Sequence, residues 1–283
     1  MAKRGSKLQR LDAELVARKI ARSREHAQEM IKAGRVTVNG MLAKKPASGV
    51  DGNVSIKVAE SEDDRWASRG AHKLLGALEA FEPRGLSVEG KTVLDAGAST
   101  GGFTDVCLDR GAAKVKAVDV GYGQLIWRLQ NDDRVDVMDR TNVRTLTPED
   151  LGGQVDLMVG DLSFISIRLV LPALAACVKE GGDLLPMVKP QFEVGKDRLG
   201  HGGVVRSPEL RAEVTREVAV EAMKYGLSTK AVVASPLPGP SGNVEYFLWL
   251  VKDSAAVSPS MVEEADYTGL DEMIATAIKE GPQ

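Results

Sequence analysis

Short apolar runs and helix-like stretches alternate along the chain from residue 69 onward. The short runs are rich in β-branched residues, which is typical of strands covered on both faces of a parallel sheet. Between them, apolar residues recur every three to four positions and predict helices. The predicted strands are 92–95, 115–119, 135–138, 155–160, 183–188, 229–234 and 244–251.

This alternation predicts an α/β fold with a doubly wound, Rossmann-like sheet. A helix is expected from Arg69 to about Phe81, and another from Pro208 to Tyr225. A loop rich in Pro and Gly (236–243) joins the last two strands, so they can pair as a hairpin. We therefore expect one antiparallel strand at the far side of the sheet.

The first 60 residues follow a different pattern. Apolar positions on one helical face predict a helix over 7–20, and Ser23 is placed to cap a second helix that ends at Gly34. An alternating strand then runs into Asn39-Gly40, a strong signal for a type I′ hairpin turn. A further strand is expected at 54–58. These short elements predict a compact α+β domain.

We therefore divide the chain into three parts. A small domain is expected over 1–60, a polar linker over 61–68, and a large domain over 69–283. The tail of the large domain, 253–283, is expected to be loose except for a short helix near 270–280.

The net charge of −3 conceals a strong asymmetry between these parts. Residues 1–60 carry 13 Lys and Arg against 6 Asp and Glu, whereas 61–283 carry 24 against 34. A basic module beside an acidic body indicates that the module binds a polyanion. The candidate polyanion-binding residues here are Arg10, Arg18, Lys19, Arg22, Arg24, Lys32, Arg35, Lys44 and Lys45.

Several features of the sequence bear on the cellular location of the protein and on metal binding. Charged residues break the longest apolar stretches, and the basic N-terminus does not resemble a signal peptide. Both cysteines lie in apolar helical patterns, which is typical of buried free thiols in a reducing compartment. The three histidines do not have the spacing of a metal site. We expect a cytoplasmic protein without a metal.

A glycine-rich turn directly follows the predicted strand at 92–95. Such a turn lets a cofactor lie against a helix N-terminus at the sheet edge. A dinucleotide fingerprint would need glycine where Ser99 stands, and a P-loop would need a lysine after Gly102. A cationic cofactor such as S-adenosylmethionine fits better. Its candidate ligands in the turn are Asp95, Gly97, Ser99, Thr100, Gly101, Gly102 and Phe103.

Further carboxylates stand at the ends of the next strands. Asp119 is placed to accept hydrogen bonds from ribose hydroxyls, and Asp139 can reach the adenine side. Asp161 follows the fourth strand and counts as a cofactor ligand as well as a catalytic residue. Carboxylates in loops after strands are often simply exposed to solvent. Here they occur at the ends of four successive strands, and this regularity favours a role in ligand binding.

The residues around Asp161 help to identify the methyl acceptor. No pair of prolines follows it, as would be common in enzymes that methylate base amino groups. Neither cysteine follows a strand, as methylation of pyrimidine carbon five would need. A hydroxyl acceptor such as a ribose 2′-hydroxyl is therefore favoured.

A hydroxyl acceptor must lose its proton, and burial beside a second cation can lower the pKa of a lysine enough for its neutral amine to act as a base. Lys189, at the end of the fifth strand, is such a lysine. Lys73 would be the second cation, and Glu245 a second anion beside Asp161. Lys73 as a surface lysine and Glu245 as an ordinary edge residue remain alternatives. The glycine-rich loop after Lys189 adds two candidate phosphate ligands, Lys196 and Arg198.

These motifs together resemble the TlyA family of ribosomal RNA 2′-O-methyltransferases, whose members are often called hemolysin A. In the small domain, Arg10-Leu11-Asp12, Ala21-Arg22-Ser23-Arg24 and the segment 34–40 resemble the S4-like RNA-binding module of a ribosomal protein. In the large domain the resemblance rests on four stretches besides the glycine-rich turn. They are the segments 68–74, 161–164, 188–193 and 239–246.

The resemblance implies a seven-stranded class I methyltransferase sheet and S-adenosylmethionine as cofactor. The Lys-Asp-Lys-Glu tetrad of the related FtsJ-like enzymes matches Lys73, Asp161, Lys189 and Glu245. It further implies methylation of cytidine ribose in 16S or 23S ribosomal RNA, and sensitivity to capreomycin. The expected partner is ribosomal RNA within ribosomal subunits, without DNA or membrane. A non-catalytic ribosome assembly factor and a membrane-lytic hemolysin are the alternatives.

Overall fold

The structure is a computed structural model that describes residues 8–21, 23–59, 65–254 and 266–282. The chain divides into two compact units, Met1–Arg65 and Trp66–Gln283. Trp66 and Ala67 are buried in the core of the second unit, and the Ala67 N–H donates to the Asp105 carboxylate at 2.8 Å. The second unit therefore begins before residue 69, inside the stretch expected to be a linker.

The first unit contains two helices and short strands. Its elements are β1 (Gln9–Arg10), α1 (Leu11–Ala17), α2 (Arg24–Lys32), β2 (Val36–Val38), β3 (Met41–Leu42), β4 (Gly49–Val50) and β5 (Ile56–Val58). Strand β1 pairs antiparallel with β4, and β2 lies between β3 and β5. The side chains of Leu11, Leu15 and Ile31 are fully or almost fully buried between these elements.

The bounds predicted for the first helix, 7–20, are wrong at both ends, because α1 is only Leu11–Ala17. Residues 9 and 10 form β1, and the N–H groups of Leu11 and Asp12 donate to Ser48 and Pro46 carbonyls. Pairing with a distant segment thus replaces the first helical turn. Two other predictions are confirmed: Ser23 Oγ accepts from the His26 N–H at 3.1 Å, and both residues of the Asn39-Gly40 turn have positive φ.

The second unit alternates strands and helices along its whole length. Its elements are α3 (Ala71–Phe81), β6 (Thr92–Ala96), α4 (Gly102–Asp109), β7 (Lys114–Val118), α5 (Trp127–Gln130), β8 (Val135–Met138), β9 (Val155–Gly160), α6 (Leu171–Cys177), β10 (Val178–Val188), α7 (Pro190–Glu193), α8 (Pro208–Met223), β11 (Leu227–Ala234), β12 (Tyr246–Lys252) and α9 (Thr268–Glu280).

The described part of this unit forms one seven-stranded sheet in the order β11-β12-β10-β9-β6-β7-β8. Strands β6 to β10 are mutually parallel, and β12 runs antiparallel between β10 and β11. The predicted sheet and its antiparallel strand are confirmed. The outermost strand on that side is β11, and the antiparallel strand β12 is the second. Strand β10 is longer than expected, because it begins at Val178 and contains a register shift before Asp183.

Helices cover both faces of the sheet. Helices α3 and α4 pack on one face through residues such as Leu74 and Val106, and α6, α8 and α9 cover the other through Leu174, Val218 and Ile274. Because β6 to β10 are parallel, their carboxyl ends meet at one sheet edge, where ligands of such folds bind. No helix within the described ranges is long and apolar enough to cross a bilayer.

Candidate active site

Four charged side chains meet at this edge, and each comes from a different element. Asp161 follows β9, Lys189 follows β10, Lys73 lies in the first turn of α3, and Glu245 directly precedes β12. The antiparallel direction of β12 brings its start to the edge where the parallel strands end. The structure therefore brings together all four residues of the predicted tetrad.

Asp161 is the shared member of this cluster. Its Oδ1 lies 2.5 Å from Lys189 Nζ, and its Oδ2 accepts from Lys73 Nζ at 3.2 Å. Lys73 Nζ also donates to Glu245 Oε2 at 2.6 Å, and Lys189 Nζ donates to Ser163 Oγ at 2.8 Å. Lys73 therefore contacts two carboxylates, whereas Lys189 contacts one carboxylate and a hydroxyl.

Burial strengthens these interactions. Lys73, Lys189 and Glu245 are 9 %, 5 % and 1 % exposed. Burial alone would lower the pKa of Lys73, but Asp161 and Glu245 outweigh it and raise that pKa above its usual value. Burial alone would raise the pKa of Asp161, but Lys189 and Lys73 outweigh it and lower that pKa. Lys73 is thus fixed as a cation and Asp161 as an anion at neutral pH.

A cavity of about 510 Å³ lies on the β6 side of the cluster, and we call it the cofactor-side cavity. Gly97, Ser99, Asp119 and Asp161 contribute to its wall. Gly97 has φ +86°, and a Cβ there would lie 3.1 Å from the Asp161 carbonyl oxygen. Only glycine therefore allows the β6 turn to approach the loop after β9 so closely.

Asp119 organises the turn that bounds this cavity. Its carboxylate accepts from the N–H groups of Ser99 at 2.8 Å and Gly121 at 2.7 Å. Each oxygen keeps a lone pair for a further donor such as a ribose hydroxyl. Together with Asp161 it gives the cavity an anionic wall. The residues present fit a cationic adenosyl ligand such as S-adenosylmethionine.

The other predicted cofactor ligands lie behind this wall. Asp95 is fully buried; its Oδ2 accepts from Thr104 Oγ1 at 2.6 Å, and its Oδ1 has no hydrogen-bond partner in the described structure. Burial raises the pKa of Asp95 to about 7. Phe103 is a core residue that stacks on Phe247 with ring centroids 6.0 Å apart.

The remaining members of the turn also support it rather than line the cavity. A Cβ on Gly101 would meet Leu129, and one on Gly102 would lie 2.4 Å from Ser68 Oγ. The Thr100 carbonyl accepts from the Ile126 N–H, and the Asp139 carboxylate accepts from the Gly123 N–H at 2.9 Å. These contacts hold the backbone around the cofactor-side cavity.

A second cavity, of about 620 Å³, lies on the other side of the cluster, and we call it the substrate-side cavity. Lys189, Glu245 and Lys196 contribute to its wall, and the two cavities share residues 163–165. Phe164 stands at this junction with 90 % exposure, φ +65° and its ring 5.4 Å from the Phe192 ring. The tetrad thus lies between two adjoining cavities.

Sequence reasoning did not assign Ser163, Phe164, Gly239 or Asn243 to the site. Asn243 is 2 % exposed and joins two loops, since its Oδ1 accepts from the Val205 N–H and its Nδ2 donates to the Gly203 carbonyl, both at 2.9 Å. The single aromatic side chain in the loop directly after Asp161 was the signal that could have identified Phe164. Small polar residues such as Ser163 give no periodic signal.

The predicted RNA ligands of the first unit fall into two groups. Arg10 and Arg24 donate to the buried Asp12. Arg18 pairs with Glu14 at 2.7 Å, and Arg35 donates to the Ala59 carbonyl. These side chains also stabilise their own unit. The other group consists of exposed lysines, Lys19, Lys32, Lys44 and Lys45. Arg22 lies outside the described residues.

The two predicted ligands in the glycine-rich loop differ in the same way. Arg198 forms ion pairs with Glu213 and Glu217 on α8, whereas Lys196 lines the substrate-side cavity. In the described parts of the chain, no cluster of three or more His, Cys, Asp or Glu residues is arranged to hold a metal.

Replacing Gly239 with Ala tests how closely the tetrad is packed. A Cβ there would lie 2.7 Å from Glu245 Oε1, so the Glu245 carboxylate must shift from the position in which it accepts from Lys73. We expect a loss of about 1–3 kcal/mol in the free energy of unfolding, measured by chemical denaturation. Gly52→Ala is the matched control, because Gly52 also lies outside helices and strands and a Cβ there meets nothing within 4 Å. Equal stability of both variants would contradict this packing.

Replacing Asp95 with Asn tests the buried carboxyl. With a folded pKa of about 7 against an unfolded value of about 3.9, the unfolded chain releases this proton first. Between these values, Asp95 makes the wild type less stable as the pH rises, by up to about 1.4 kcal/mol per pH unit. Asp95→Asn should therefore gain stability relative to wild type from pH 4 to pH 7, as measured by denaturation.

The exposed Asp133 provides the control for that experiment. Asp133→Asn makes the same substitution at the protein surface, and its difference from wild type over the same pH range is the reference for Asp95→Asn. A pH-independent difference for Asp95→Asn would show that the Asp95 carboxyl ionises normally inside the protein.

Comparison with known proteins agrees with this geometry. An FtsJ-like methyltransferase family model matches residues 66–252, and an S4 domain model matches residues 9–56. A 16S/23S rRNA (cytidine-2′-O)-methyltransferase TlyA from Mycobacterium tuberculosis is 55 % identical over 96 % of this chain and 98 % of its own length. Hemolysin A from Brachyspira hyodysenteriae is 35 % identical over 84 % of this chain and 97 % of its own.

A solved structure, described as a hemolysin from Streptococcus thermophilus, is similar over 98 % of both chains with 38 % identity and a TM-score of 0.73. Each family-model match lies within one of the two units of the structure, and the methyltransferase match contains the whole tetrad. The chain therefore belongs to the TlyA family of FtsJ-like ribosomal RNA methyltransferases.

Proposed function

We propose that this protein methylates the 2′-hydroxyl of cytidine in ribosomal RNA, acting on ribosomal subunits in the cytoplasm. The observation that carries the proposal is the buried Lys73-Asp161-Lys189-Glu245 cluster between two adjoining cavities. The TlyA relative from Mycobacterium tuberculosis bears the name of this activity for 16S and 23S rRNA.

The cofactor of this family of methyltransferases is S-adenosylmethionine, which when bound supplies a methyl group on a positively charged sulfur. In this chain, Asp119 is placed to accept hydrogen bonds from ribose hydroxyls, and Gly97 and Ser99 bound the same cavity. The carboxylate of Asp161 contributes negative charge at the end of the cavity nearest the lysines.

The two lysines have different roles. Lys73 lies between two carboxylates and remains a cation that fixes the positions of Asp161 and Glu245. Lys189 faces the substrate-side cavity with its Nζ held by Asp161 and Ser163. The deprotonated form of Lys189 is the one that can take the 2′-proton at Nζ when the ribose oxygen becomes a nucleophile. Alignment by the buried cluster contributes the rest of the rate enhancement.

The substrate-side cavity has features suited to a nucleotide. Phe164 presents an exposed ring at the junction of the cavities, and unstacked RNA bases stack on such rings. Lys196 can pair with a phosphate at the rim, and the exposed lysines of the S4 unit can bind phosphates elsewhere on a folded RNA. A non-catalytic assembly factor would leave the buried tetrad without a role.

Replacing Lys189 with Ala tests the assignment of the base. We expect methyl transfer to ribosomal RNA to fall by roughly 100-fold or more, because general-base assistance is lost. Cofactor affinity, measured by calorimetry, should stay close to that of wild type, since Lys189 does not line the cofactor-side cavity. Lys279→Ala, at an exposed position of α9, is the control. Loss of cofactor binding would instead place Lys189 in the cofactor site.

Replacing Lys44 and Lys45 together with Ala tests the S4 unit as an RNA-binding module. Both side chains are exposed. For each lysine that no longer binds a phosphate, the slope of log affinity against log salt should become shallower by about 0.7–0.9. We expect weaker binding of ribosomal RNA at moderate salt with an unchanged affinity for the cofactor. An unchanged salt dependence would remove these lysines from the RNA interface.

A further inference from the structure

Glu193, at the end of α7, is a buried carboxylate with no place in the tetrad. It is 3 % exposed, and a buried anion of this kind is costly unless hydrogen-bond donors satisfy it. Its Oε2 accepts from Ser166 Oγ at 2.6 Å and from Arg168 Nε at 3.3 Å, and its Oε1 accepts from the Ile167 N–H at 2.7 Å. All three donors belong to one short segment, 166–168.

That segment continues the loop that carries the catalytic groups. Asp161 and Ser163 stand at the start of the loop and bind Lys189, whereas 166–168 at its end bind Glu193. Segment 189–193 therefore holds the loop at two points. Phe164 lies between them at φ +65°, a conformation that a bulky side chain keeps only when its surroundings enforce it.

Arg168 extends this connection outward. Its two terminal guanidinium nitrogens donate to the Glu193 carbonyl at 2.9 Å and to Glu217 on α8 at 3.0 Å. The Glu217 side chain is 36 % exposed, compared with 1 % for that of Glu193. Removing Glu217 would weaken the outer pair but leave every contact of the Glu193 carboxylate in place.

We propose that Glu193 is a positioning residue that fixes Asp161 and Ser163 against Lys189, a role that rests on the proposed function. Glu193 itself lines neither cavity, although its partner Ser166 lines the substrate-side cavity, so the carboxylate acts through the loop and not on the reactants. A shift of about 1 Å in a reacting group can cost about a hundredfold in rate. Loosening the loop should therefore reduce kcat and leave the KM for RNA nearly unchanged.

The first test replaces Glu193 with Gln, which keeps the shape but removes the charge and faces Arg168 with an amide group. We expect kcat for methyl transfer to fall about tenfold to a hundredfold, with KM and cofactor affinity changed less than about threefold. Glu217→Gln is the matched control and should stay within about twofold of wild type. An unchanged kcat in Glu193→Gln would overturn the proposal.

A double variant distinguishes positioning from general destabilisation. If Glu193 acts through Lys189, the Glu193→Gln/Lys189→Ala protein should lose no more activity than Lys189→Ala alone. Losses that multiply would overturn the proposal, because they would show that Glu193 acts independently of Lys189. If wild type itself transfers no methyl group to ribosomal RNA, the proposed function fails instead.

Ser166→Ala provides a milder probe in case Glu193→Gln does not fold. It removes one donor to the carboxylate and leaves the Ile167 and Arg168 contacts intact. We expect a kcat about twofold to tenfold below wild type, measured at a temperature at which both proteins are fully folded, because loss of this hydrogen bond also lowers the melting temperature. A wild-type kcat in this variant would also contradict the positioning role.

Discussion

The carboxylate of Asp161, shared between the side-chain nitrogens of two buried lysines, is the interaction on which the site depends. It lies 2.5 Å from one lysine nitrogen and 3.2 Å from the other. Lys73 comes from a helix that precedes the sheet, and Lys189 from the end of β10. Removing one partner of such a buried group leaves an uncompensated charge. The interaction therefore fixes the positions of α3, the end of β9 and the end of β10 relative to one another. Glu245 completes the charge balance from the antiparallel strand.

The fold explains why these groups can meet. Parallel strands place their carboxyl ends at one edge, and the reversal at β12 adds a strand whose start reaches that edge. The loop after β9 then separates two cavities while it supplies Asp161 and Ser163 to the lysines. A methyl donor in one cavity and a nucleotide in the other would meet where the cluster lies. The parallel strands and the reversal at β12 therefore explain both where the cluster lies and why the proposed reaction can occur there.

The local sequence pattern predicted most of the sheet and brought the main residues of the site together. The strand series placed Asp161 and Lys189 at one edge, and the Asn39-Gly40 turn was predicted correctly. What depended on distant contacts could not be predicted. The β1–β4 pairing shortened the first helix, and burial of Trp66 moved the start of the second unit. In the glycine-rich turn, sequence could not distinguish residues that line the cavity from those that support it, because both share one motif.

The most direct measurement quantifies 2′-O-methylcytidine by mass spectrometry in ribosomal RNA treated with wild type or with Asp161→Asn. Asparagine keeps the shape of the side chain but removes the charge that both lysines share. The account predicts stoichiometric methylation at a defined cytidine by wild type and a loss of roughly a thousandfold in rate for the variant, with RNA binding retained. Methylation by Asp161→Asn at the wild-type rate would contradict the central role of this carboxylate.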